Sequence, residues 1–72
     1  MATELYAPMV GAVVEILVKA GDEVEEDEPI LVLEALKMKI PVVAPEDGTV
    51  TKICVKVGDE VESDTVLAVL DN

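Results

Sequence analysis

Val18-Lys19-Ala20-Gly21-Asp22-Glu23-Val24-Glu25 returns 37 residues later as Val55-Lys56-Val57-Gly58-Asp59-Glu60-Val61-Glu62. The correspondence runs on without a gap: Ala7 to Ala35 aligns with Ala44 to Asn72, and about half of the positions are identical. Ala7-Pro8 matches Ala44-Pro45, and Gly11 matches Gly48. Repeats of such a period usually stack as solenoids, which need at least three copies to bury their faces. Two copies point instead to one barrel or sandwich built from two related halves.

Each half reads as strands and tight turns. Val13, Ile16 and Val18, and their counterparts Val50, Ile53 and Val55, lie in β-branched runs bounded by Gly-Asp turns. Helical spacing is absent. Pro8, Pro29, Pro41 and Pro45 fall at run edges or near turns, where strands tolerate them. Gly11, Gly21, Gly48 and Gly58 occupy matching points and are expected to supply positive φ. The expected fold is all-β, with about eight short strands in two sheets that close on each other and hide their edges.

The chain of 72 residues reads as a single domain over 1–72, short enough that its core must be thin. A lone cysteine, Cys54, cannot close an internal disulfide, and with no histidine the usual zinc and Cys-His catalytic sets are missing. Cys54 is expected to face the core as a small apolar residue. Together these features suggest a reducing compartment. Sixteen Asp and Glu stand against five Lys, a net charge of −11. That field repels phosphate backbones and anionic lipid, so neither nucleic acid nor a membrane surface is an expected partner. Its first use is to keep an apolar barrel soluble, its second to steer a basic partner. No apolar run approaches a membrane span, and MATELYAP lacks the form of a secretory signal, so the expectation is cytoplasmic. The run Glu25-Glu26-Asp27-Glu28 reads as a solvated loop face rather than a metal or catalytic site, because it lacks the alternating ligands and central glycine of a calcium loop.

The halves diverge at the midpoint. Pro29-Ile30-Leu31-Val32-Leu33 leads into Glu34-Ala35-Leu36-Lys37-Met38-Lys39 and then Ile40-Pro41-Val42-Val43. Two strands this close in sequence must turn back sharply, which puts a hairpin tip at or beside Leu36-Lys37. Such tips favour Asn-Gly or Asp-Gly, yet here a lysine stands between two large apolar residues. A residue that is poor for folding hints at use. Strand alternation would send Lys37 and Lys39 to the same side.

The segment EALKM resembles the EAMKM signature of biotinyl domains, the biotin carboxyl carrier family, and the likeness covers nearly the whole chain. APMVG is similar to that family's APM-x-G opening, KAGDEVEEDEPILVLEALKM to its central half, and APEDGTVTKICVKVGDEVESDTVLAVL to its closing half. The resemblance implies a flattened barrel of two four-stranded antiparallel sheets with pseudo-twofold symmetry, the hairpin at one end and both termini at the other. It implies covalent biotin on Lys37, with Glu34, Ala35, Leu36 and Met38 as the flank that a biotin protein ligase reads. It further implies a non-catalytic carrier that moves carboxyl groups between a biotin carboxylase and a carboxyltransferase or decarboxylase. Leu36 departs from the usual methionine, a swap of similar volume. No protruding thumb interrupts Gly21 to Pro29, which resembles the compact type, and no Ala/Pro-rich linker precedes residue 4. Two other readings remain: a lipoyl-type acyl carrier, whose tip typically reads Asp-Lys-Ala, and an unmodified barrel interaction module.

Overall fold

In the run Ile30-Leu31-Val32-Leu33, three of the four side chains are withdrawn completely from solvent, and Leu67, Ala68 and Leu70 repeat the pattern in the second half. Side chains of a flat strand alternate between faces, so adjacent buried residues require a local irregularity. The computed structural model, which describes residues 2–72, shows one at each place. Pro29 and Leu31 pair with Val43 and Val42, skipping Ile30. Val66 and Ala68 pair with Tyr6 and Leu5, skipping Leu67.

The strands are β1 (Ala2–Tyr6), β2 (Gly11–Ile16), β3 (Glu23–Val24), β4 (Pro29–Ala35), β5 (Met38–Val43), β6 (Gly48–Ile53), β7 (Glu60–Val61) and β8 (Val66–Asp71). They form two four-stranded sheets, in the orders β1-β8-β6-β3 and β5-β4-β2-β7, with every pairing antiparallel. The expected all-β architecture and strand number are both present. Pairings obey the sequence offset. Ala12↔Glu34, Val13↔Leu33, Glu15↔Val32 and Ile16↔Leu31 become Thr49↔Asp71, Val50↔Leu70, Lys52↔Val69 and Ile53↔Ala68, with a register shift at the same point in each.

The short strands are exchanged. β3 belongs to the first half in sequence but pairs with β6 of the second, while β7 pairs with β2. Turn amides follow suit: Gly21 donates to the Val50 carbonyl at 2.6 Å, and Gly58 to that of Val13 at 2.7 Å. The core between the sheets is wholly apolar, and no polar or charged residue among those described is buried. Part of the acidic excess is spent on turns. Asp22 and Asp59 accept from the amides of Lys19 and Lys56, Glu28 from that of Glu25, and Asp47 from that of Glu26. The Glu25–Glu28 run is therefore a hydrogen-bonded turn. Among the described residues no group of three or more His, Cys, Asp or Glu is arranged to hold a metal ion. No helix there is long and apolar enough to cross a membrane.

Three expectations change. Of the four glycines, only Gly21 and Gly58 have positive φ, both at 99°. Gly11 and Gly48 serve a different need, close approach of backbone. A Cβ on Gly11 would stand 2.9 Å from the Glu34 carbonyl oxygen, and one on Gly48 would stand 3.0 Å from that of Asp71. Cys54 is exposed, not core-facing. Its neighbour Ile53 turns inward against the core, so alternation sends Cys54 out, as it does the equivalent Leu17. Pro41 lies within β5 rather than at a run edge, and it is accommodated because β5 is an edge strand. Val18 and Val55 lie past the strand ends but still pack partly against the core.

Gly48→Ala should lower stability by about 1–3 kcal/mol, because the backbone oxygen of Asp71 cannot yield as a flexible side chain would. Urea denaturation reads this as a lower midpoint with an unchanged slope.

Candidate functional site

β4 and β5 form a hairpin closed by the pair Ala35↔Met38, which leaves Leu36 and Lys37 as its two-residue turn. Both turn residues have positive φ, 53° at Leu36 and 66° at Lys37. Such a turn matches the right-handed twist of the flanking strands, and glycine or asparagine is its natural occupant. A side chain with a Cβ costs about 1–2 kcal/mol in this conformation. The other two non-glycine residues of positive φ are Asp27 and Asp64, at equivalent turns of the two halves. Aspartate tolerates that region; leucine and lysine gain nothing from it locally. The strain is thus concentrated at the tip, where it fixes the direction of Lys37.

The base of the hairpin is rigid. β4 is an inner strand flanked by β5 and β2, and Ile30, Leu31 and Leu33 anchor it in the core. Gly11 lets β2 press against the Glu34 carbonyl and the Ala35 Cβ, so the last residues before the turn are held on both sides. Beyond Ala35 everything is open. Leu36 is 94% exposed and Met38 66%, with Lys37 exposed between them. Exposed leucine is unremarkable singly, but two large apolar side chains flanking one lysine at a tip form a surface a partner can grip.

The five residues singled out in sequence are therefore together: Glu34 and Ala35 end β4, Leu36 and Lys37 make the turn, and Met38 begins β5. Lys39 is already in β5, opposite Glu34. Alternation from Lys39 does not carry to Lys37, because the turn backbone lies between the strand regions and sets the lysine's direction by itself. On the other sheet, Tyr6 donates to the Glu4 carboxylate at 2.7 Å. That bond, with the charges of Glu4 and Asp64 adding to it, raises the phenol above its ordinary value.

Sequence reasoning missed a third part of the tip. Met9 and Val10, just ahead of β2, lie beside Ala35 and Leu36 along one shallow groove. The available signal was the divergence of the halves, since the second copy has Glu46-Asp47 at the corresponding positions.

Comparison with known proteins bears on the chain as a whole. Residues 3–70 match the family described as "Biotin-requiring enzyme". The chain is 55% identical over 40 residues to the biotin carboxyl carrier protein of acetyl-CoA carboxylase from Solanum lycopersicum, covering 56% of this chain and 57% of that protein. It is 44% identical over 43 residues to a biotin carboxyl carrier protein from Streptococcus mutans, covering 60% of this chain and 33% of that one. The chain thus accounts for only part of the length of these relatives. In structure it superposes on the Kluyveromyces lactis urea carboxylase with a TM-score of 0.93 at 34% identity, over 99% of this chain and 6% of that one.

Replacing the turn by Leu36→Asn with Lys37→Gly should raise stability by about 1–2 kcal/mol, by relieving the left-handed strain. The expected reading is a higher urea midpoint. A lower one would show that the tip side chains stabilise the hairpin in ways its exposure does not suggest.

Proposed function

The chain belongs to the family of biotin-requiring enzymes, and on that premise we propose that Lys37 bears covalent biotin and that residues 1–72 act as one carboxyl-carrier domain. The observation that carries this reading is the exposed amine on a strained two-residue turn whose neighbours on both sides are exposed and apolar. An amide at Nζ requires access from solvent and a fixed approach for the enzyme that makes it, and the tip supplies both. Glu34, Ala35, Leu36 and Met38 form the surface read by a biotin protein ligase. Leu36 in place of methionine keeps the volume and apolarity of that flank.

Bound biotin supplies a ring nitrogen that takes up and gives back a carboxyl group; the protein's share is attachment, orientation and delivery. A long arm on a rigid hairpin lets the ring visit separate active sites while the barrel stays folded, and tethering keeps its effective concentration high. The partners proposed on this basis are a biotin carboxylase and a carboxyltransferase or decarboxylase, with the carrier itself performing no bond-making. The names of the relatives, an acetyl-CoA carboxylase carrier among them, support a carboxylase setting. A cytoplasmic location is proposed from composition alone, from the unpaired cysteine and the acidic surface.

Lys37→Arg should abolish modification by a biotin ligase, while Lys39→Arg should leave it nearly unchanged, because Lys39 is held in β5. Intact mass is expected to rise by one biotin less one water, and peptide mapping should locate it. Biotin on Lys39 in the Lys37→Arg protein, or lipoate instead of biotin, would overturn the assignment.

A further inference from the structure

The repeat offers an internal control for surface features within it, because each position from Ala7 to Ala35 has a counterpart from Ala44 to Asn72. Two shallow grooves are related in this way. One lies beside the hairpin tip and is lined by Met9, Val10, Ala35 and Leu36, with Glu34, Glu60 and Glu62 also in the lining. The other, near the chain's C-terminal end, has Asp47 where the first has Val10 and Asn72 where it has Ala35. Glutamate and aspartate at 46 and 47 show that the fold tolerates polar residues there. The groove at the tip nevertheless carries Met9 at 41% exposure and Val10 at 67%, continuous with Leu36. Solvent-exposed apolar surface of this kind, on one copy only and next to the attachment lysine, marks an occupant.

We propose that this groove seats the chain's own biotinyl group between deliveries, an inference that rests on the reading of Lys37 as the attachment site. Three features select that occupant. The arm starts at Lys37, and the groove begins at Leu36, so an arm with a reach on the order of 10 Å need only fold back along its own hairpin. The apolar part of the lining, Met9, Val10, Ala35 and Leu36, matches the methylene chain and the sulfur-bearing ring. Three carboxylates in the same lining, Glu34, Glu60 and Glu62, supply acceptors for the two N–H groups of the ureido ring. The same carboxylates disfavour an anionic occupant, so the seat holds the neutral ring. With a volume of about 860 Å³ the groove has room for the group, and its shallowness keeps the seat weak enough to release its occupant to a partner's active site. Association in cis loses little freedom, because the tether has already restricted the ring.

The test uses the full chain, biotinylated by ligase and verified by intact mass; failure to form the adduct would overturn both this inference and the reading of Lys37. Methyl NMR of the modified and unmodified protein should show shifts at Met9 and Val10, with ring-proton contacts to the Met9 methyl, while Thr49 in the counterpart groove stays unmoved. The shifts should be independent of dilution. Concentration-dependent shifts would give the groove to a second copy, and an adduct with no shift at Met9 or Val10 would leave Lys37 modified but show that there is no seat. Streptavidin capture should be about threefold faster for Met9→Glu with Val10→Asp, which installs the second copy's residues and frees the ring. A control adding the same charge elsewhere, Leu17→Glu with Val57→Asp, should capture at the wild-type rate. Equal rates in both variants would overturn the proposal.

Discussion

The structure depends on a reciprocal backbone exchange between its two halves. Gly21 reaches the carbonyl of Val50, Gly58 reaches that of Val13, and the short strands that these turns launch join the sheet of the other half. Neither half can satisfy its own backbone groups alone, and an unpaired amide or carbonyl in a buried setting is costly. A chain of this size, with a single cysteine, gains from such interlocking what a larger protein gains from a thicker core. Both Gly21 and Gly58 need positive φ to make the turn. Those two glycines are therefore fixed by conformation, whereas Gly11 and Gly48 are fixed by space.

The hairpin is held firmly at its base. β4 is an inner strand of its sheet, locked through Ile30, Leu31 and Leu33 into a core with no polar interruption. The stability spent on two left-handed residues is returned by a core that does not involve them. Strain confined to an exposed turn, supported by unstrained structure around it, is the division of labour expected if that turn presents a group, as proposed for Lys37.

The duplicated frame nevertheless has two unlike ends. The continuous chain makes a hairpin of β4 and β5, while the equivalent β8 and β1 are paired but belong to the chain's two ends. Beside the hairpin, Met9 and Val10 are apolar; at the corresponding place, Glu46 and Asp47 are acidic, and Asp47 accepts the Glu26 amide. Local differences on a repeated frame thus leave exposed apolar residues beside the hairpin and acidic ones at the corresponding place.

The sequence by itself determined the frame. The gapless offset implied two equivalent halves, the β-branched runs implied strands, and the missing turn residues around Leu36-Lys37 marked the tip, because these signals are local and periodic. Tertiary structure alone decided which strand joined which sheet, since β3 and β7 are short and pair across a separation in sequence that no periodicity records. It also decided that Cys54 faces solvent and that Gly11 buttresses the hairpin. The divergence of Met9-Val10 from Glu46-Asp47 was legible in the chain, but not that these residues lie beside Leu36. Residues from separate strands become neighbours only when backbone pairing and core burial fix the register between them.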